Sequence, residues 1–185
     1  MSVRGTLRRH RLISPVLSLS AAVVLASSLS ACSDDEPAAK NYTVPTTLCG
    51  VAVDSAQVKT LLPGGDSLTS ATSKPNGGTT RCDLSVDGKP ALRLAQAWWG
   101  RLDTGATVAA AYSGTDGGET TGDYRYVWTS KAGVGKTASC TSSKHPEMRL
   151  FAIIQVLDSG AGDKTAMKSL INSYTETVNR SDDCE

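Results

Sequence analysis

Four cysteines, Cys49, Cys82, Cys140 and Cys184, constrain this chain more than any other feature. Every gap between them exceeds thirty residues, whereas a structural zinc site needs closely spaced ligand pairs. No metal site is expected. An even set of widely spaced thiols suits a disulfide framework, provided the chain folds in an oxidising compartment. Four cysteines allow three pairings. Joining Cys49 to Cys82 and Cys140 to Cys184 lets each bridge close its own half of the chain, and that pairing is expected. Loops of roughly 30–45 residues give about 3–4 kcal/mol per bridge in the chain-entropy model. The core must be modest, since serine, threonine and glycine are abundant and Phe151 is the one phenylalanine.

The fifth cysteine, Cys32, has a different setting. Arg4, Arg8, Arg9 and Arg11 come first, and no acid occurs before Asp34. An apolar stretch from Leu12 to Leu29 follows, and Leu29-Ser30-Ala31-Cys32 ends it. Residues 1–31 thus have the three parts of an export signal peptide. The terminal string resembles the lipobox of bacterial lipoproteins. In that family the cysteine thiol receives diacylglycerol and a peptidase cuts on its amino side. The resemblance implies a secreted lipoprotein on the extracytoplasmic face of the cell membrane, held by palmitate-type acyl chains on Cys32. A spanning helix is the competing reading, but Pro15 and five serines dilute a stretch already short for a bilayer. Arg8-Arg9 leaves the general and twin-arginine export routes both open.

Removal of residues 1–31 changes the electrostatics. The whole chain carries a formal charge of +1. Without the four leader arginines, fifteen basic residues face eighteen acidic ones, a net charge of about −3. Such a surface suits neither nucleic acid nor anionic lipid. The membrane is therefore a partner through the diacylglycerol alone. Residues 32–47, the lipidated cysteine and a polar stretch with Pro37 and Pro45, read as a flexible tether. Residues 48–185 are of a length for one domain.

In that domain Asp54 caps a helix over 54–62, with Gln57 completing a capping box and Val53 and Val58 in the staple positions. Residues 66–80 have turn chemistry without a period and read as a loop. Alternation then places Cys82, Leu84 and Val86 in a strand. Asp87-Gly88 turns it into a second strand with Leu92, Leu94 and Gln96, as far as Trp98-Trp99. A short helix over 103–112, capped by Asp103 or Thr104, and a glycine-rich loop over 113–122 come next. Strands are expected over Tyr124–Trp128, Lys136–Ser142 and Met148–Leu157. A helix over 163–179 has the apolar stripe Ala166, Met167, Leu170, Ile171, Tyr174 and Val178. The sum is an α+β domain with two disulfides: an antiparallel sheet of about five strands with helices packed on one face.

The lipobox, the polar tether, Leu48-Cys49-Gly50 before a capped helix and the C-terminal cysteine pair resemble small uncharacterised lipoproteins of high-GC Gram-positive bacteria. The outline is also similar to the extracytoplasmic sensor domains of some serine/threonine kinases, which use two disulfides and a helix-flanked sheet. Against the sensor comparison, neither a kinase domain nor a membrane span is expected in this sequence. The resemblance implies fold and location, and no catalytic residue.

Catalytic arrangements fare poorly. His10 leaves with the signal, so His145 is the one histidine left, in a polar turn where a solvated imidazole is expected. Residues 132–137, AGVGKT, imitate a phosphate-binding loop, but Ser130 stands where its first glycine belongs and no helix follows, so a hairpin turn is expected. Asp116, Glu119 and Asp123 fit no calcium loop. No cofactor is expected. Trp98, Trp99, Tyr124, Tyr126 and Trp128 are the candidate ligand-binding residues, with core packing as their other use. The expectation is a non-enzymatic binding or interaction module at the cell envelope, its partner a protein, a glycan or a small apolar ligand. A carrier or sensor of a small apolar ligand and a carboxylate-based hydrolase are the alternatives.

Overall fold

The computed structural model describes residues 38–185. The signal sequence and Cys32 lie outside the described residues. The elements in chain order are β1 (Thr47–Leu48), β2 (Val51–Ala52), α1 (Ser55–Thr60), β3 (Leu68–Asn76), β4 (Thr79–Val86), β5 (Lys89–Gly100), α2 (Gly105–Ala109), β6 (Glu119–Thr120), β7 (Tyr126–Trp128), β8 (Ala132–Lys136), β9 (Met148–Val156) and α3 (Lys164–Val178). Seven strands form one antiparallel sheet in the order β3-β4-β5-β9-β8-β7-β6, and β1 and β2 pair separately. Bridges join Cys49 to Cys82 and Cys140 to Cys184. The domain is α+β with the expected disulfide pairing. Among the described residues no helix is long and apolar enough to cross a membrane.

Helices α1 and α3 lie on one face of the sheet. Their Val58, Met167, Leu170, Ile171 and Tyr174 close over Leu84, Leu92, Leu94 and Ile154 in the main core. On the other face, Val108 and Ala109 of the short helix α2 meet Ala95, Val127, Phe151 and Ile153 in a smaller cluster. Strands β5 and β9 pair over nine positions, from Leu92–Val156 to Gly100–Met148, and form the middle of the sheet.

Local signals explain the best-formed elements. The Asp54 carboxylate accepts from the backbone N–H groups of Ala56 and Gln57, and Asp163 accepts from Ala166 at the start of α3. Gln57 does not complete a capping box; its Oε1 accepts from Ser173 Oγ and ties α1 to α3. Asp87 and Gly88 have φ of 48° and 75°, the left-handed pair that a tight hairpin between twisted strands requires.

Four segments differ from the sequence expectation. Residues 68–76, expected as a loop, form edge strand β3; its side chains are exposed on both faces, so it shows no period. Asp87 starts this strand by accepting from the backbone N–H groups of Asp66 and Ser67 and from the Ser67 hydroxyl. Residues 132–136, expected as a turn, form β8, and no strand runs over 136–142. Gly133 and Gly135 face α3 there. A Cβ on Gly133 would lie 2.9 Å from Ile171 Cβ, and one on Gly135 would overlap the Thr175 hydroxyl. Tyr124 lies outside β7, in a turn at φ 53°. Finally, part of the expected tether belongs to the domain: Tyr42 and Val44 are buried, and the backbone of Lys40 bridges to Gly65.

Candidate functional site

The aromatic candidates do not form one groove. Tyr126 and Trp128 are buried beneath α3, where Tyr126 donates to the Glu176 carboxylate and the Lys168 ammonium lies 4.8 Å from the Trp128 ring centroid. Burial, then that carboxylate, pushes the Tyr126 phenol up to about 12. Trp99 is on the opposite face of β5, tilted against Tyr112 with ring centroids 6.3 Å apart. Tyr124 is exposed. It borders two clefts of about 280 and 290 Å³, whereas Trp98 borders a larger one.

That cleft has a volume of about 580 Å³, within the range of ligand sites. Lys74, Asn76, Gly78 and Thr80 of the β3–β4 hairpin form one wall, and Lys144, His145 and Asp183 form the other. Gln96, Trp98 and Leu150 lie between them. Alternation along β5 puts Leu92, Leu94, Gln96 and Trp98 on one side of the sheet. The first three fall under the helices, where Gln96 reaches Tyr174 of α3, and Trp98 runs out past them.

The Trp98 and His145 rings stack, with centroids 4.7 Å apart and planes 22° apart. His145 is thus half-buried against an indole instead of solvated. Its loop is fastened from several directions. Cys140 is bridged to Cys184, and the Cys140 carbonyl accepts from Arg149 Nη1 at 2.6 Å. The Glu185 carboxylate accepts from the backbone N–H and hydroxyl of Ser143, while its own N–H donates to the Thr141 carbonyl. These bonds to Ser143 hold the Glu185 carboxyl below its ordinary range. The other wall is fastened by Cys49–Cys82. Each disulfide therefore secures one side of the cleft.

Gln96 is the chemically distinctive group. It is 2% exposed, and its Nε2 donates to the Cys49 carbonyl at 3.1 Å and to the Tyr174 hydroxyl at 3.4 Å. Its Oε1 is buried and accepts no hydrogen bond. A buried carbonyl oxygen without a donor costs about 1–3 kcal/mol. Tyr174 beside it is raised well above the ordinary phenol range, chiefly by burial. At the rim, neither Lys74 nor Lys144 pairs with a carboxylate among the described residues, and Asp183 has no cationic partner there.

Other chemistry finds less support. Glu119 pairs with Lys164 at 2.6 Å, and Asp123 accepts from Thr121 Oγ1 and the Arg125 N–H. These partners hold both carboxyls below their ordinary range, the reverse of what a glycosidase general acid requires. Among the described residues no cluster of histidine, cysteine, aspartate or glutamate is arranged to hold a metal ion.

Sequence reasoning missed Gln96, Lys74, Lys144 and Asp183. Gln96 did leave a signal: a lone amide on the inward side of an otherwise apolar strand. Comparison with known proteins gives no match: no family model fits the sequence, and no curated protein or solved structure matches the chain.

Proposed function

We propose that this chain is a lipid-anchored extracytoplasmic binding module, without catalytic activity, that takes a small polar ligand between Trp98, His145 and the β3–β4 hairpin. The observation that carries the reading is Gln96, an almost fully buried amide in the cleft whose Oε1 lacks a donor. Folding leaves that cost unmet, and a small shift of the amide toward the cleft would let a ligand N–H or O–H meet it. The anchoring half of the proposal is supported by the export signal and the lipobox-like string ending at Cys32. An apolar cargo between sheet and helices is disfavoured, because Leu84, Leu92, Leu94, Ile154, Met167 and Leu170 already fill that layer.

The test is a screen of polar fragments against the mature, detergent-solubilised protein, read through the NMR signals of the three indole N–H groups. Hits should move Trp98 and leave buried Trp128 in place. Hits that move only Trp128 would overturn the cleft assignment. Hydrolysis of a peptide, ester or glycan that one point substitution abolishes would overturn the non-enzymatic part.

A further inference from the structure

Resting on the reading that the cleft binds a ligand, we propose that its occupant is the carboxyl-terminal end of a short peptide. The chemistry of the cleft asks for three features at once. The Gln96 Oε1 requires a hydrogen-bond donor, because it is buried and unpartnered. Lys74 and Lys144, one on each wall, are exposed and neither forms an ion pair among the described residues, so both are free to hold an anion. Trp98, half-buried beside the already buried Leu150, offers an apolar surface. The last residue of a peptide supplies all three: its backbone N–H, its carboxylate and its side chain.

Competing ligand chemistries leave one requirement unmet. Inorganic phosphate satisfies the lysines but presents no apolar surface to Trp98. A neutral sugar offers hydroxyl donors but no charge, and His145 already covers one indole face on which a sugar ring would lie. A free amino acid is smaller than the available space. The cleft also continues, since Lys74, Thr80 and Asp183 border a second groove of about 350 Å³ along Gly50, Val51 and Asp182. An extended chain of several residues fits such a groove. The Asp182 and Asp183 carboxylates would then face the backbone N–H groups upstream of the carboxyl end, an arrangement in which both signs of charge on the groove are matched.

The experiment titrates mature protein with a mixed pool of acetylated tetrapeptides, made once as free acids and once as carboxamides, and follows the Trp98 indole signal. The acid pool should move that signal, and the amide pool should bind about tenfold more weakly, the loss expected for one charge-assisted hydrogen bond. Lys144→Gln should bring the acids down to the level of the amides. Lys168→Gln, on the exposed side of α3 and away from the cleft, should change nothing. Equal binding of acids and amides would overturn the carboxylate assignment. If neither pool moves Trp98 but other polar fragments do, the peptide inference fails and the binding site stands. If nothing moves Trp98, both fail.

Discussion

The ring of His145 lies flat against the indole of Trp98, 4.7 Å between centroids, although the two residues come from a turn and a strand 47 positions apart. Aromatic stacking of this kind contributes about 0.5–1.5 kcal/mol beyond area burial. His145→Ala should therefore lower the urea-unfolding free energy by about 1 kcal/mol and shift tryptophan emission to longer wavelength. Unchanged emission and stability would show that the stack is absent in solution.

The disulfide Cys140–Cys184 closes a separation of 44 residues, for which the chain-entropy model gives about 4 kcal/mol. Replacing both cysteines by serine should cost that order in stability and also loosen the His145 loop. Limited trypsinolysis of the folded variant should then cut after Lys144, a bond that resists in the parent. The Cys49→Ser, Cys82→Ser pair should lose similar stability and leave Lys144 protected.

Strand β8 approaches α3 closely because Gly133 and Gly135 carry no side chain. Gly135→Ala would push a methyl group into Thr175 and to within 3.0 Å of Tyr126 Cδ1. Overpacking of this kind costs about 1–3 kcal/mol, and thermal melting would register it. ATP should shift the melting temperature of neither protein, since the glycines serve packing. A nucleotide-dependent rise would contradict that assignment.

The clamp formed by Glu185 depends on pH. Hydrogen bonds from Ser143 lower the carboxyl below its ordinary value of 4.5. Its folded value is the depressed one, so the clamp contributes in full above the unfolded value and is lost as pH falls through the folded value. Protection of the Ser143 amide against hydrogen exchange, taken relative to the intrinsic rate at each pH, should fall as pH drops below 4.5 in the parent, and Glu185→Gln should show reduced protection at neutral pH. A parent amide that stays protected at pH 2 would refute the clamp.

The proposed lipid anchor has its own test. Cys32→Ser should move the protein from the detergent-soluble membrane fraction to the medium or the soluble fraction and abolish labelling by radioactive palmitate. Retention of the label would place the acyl chains elsewhere.

Much of this fold was legible because local chemistry and global packing agree. Asp54 and Asp163 cap their helices, Asp87-Gly88 makes its hairpin, and the apolar stripe of α3 is the face that is buried. The cysteine pairing followed from two short circuits being simpler than crossed ones. Legibility failed where a strand lacks an inside. The side chains of β3 are wet on both faces, and β8 has glycine where an inward side chain would betray its period. The cleft was harder still. Lys74, Gln96, Lys144 and Asp183 come from four separate stretches of chain and converge through strand pairing and a disulfide that no local pattern expresses. The aromatic residues drew attention by type, yet alternation sends Trp98 and Trp99 to opposite faces of one strand.

Strand β5 runs from Lys89, near the point where Lys40 and Gly65 bring the chain into the domain, to Gly100 beyond the cleft. The nine steps from Lys89 to Trp98 cover about 30 Å at the usual strand rise. A ligand tugged away from a surface that holds the Lys40 end would load this sheet lengthwise. The hydrogen bonds along β5 and β9 would then share the load in shear, and the domain would behave as a stiff strut between its mooring and its grip.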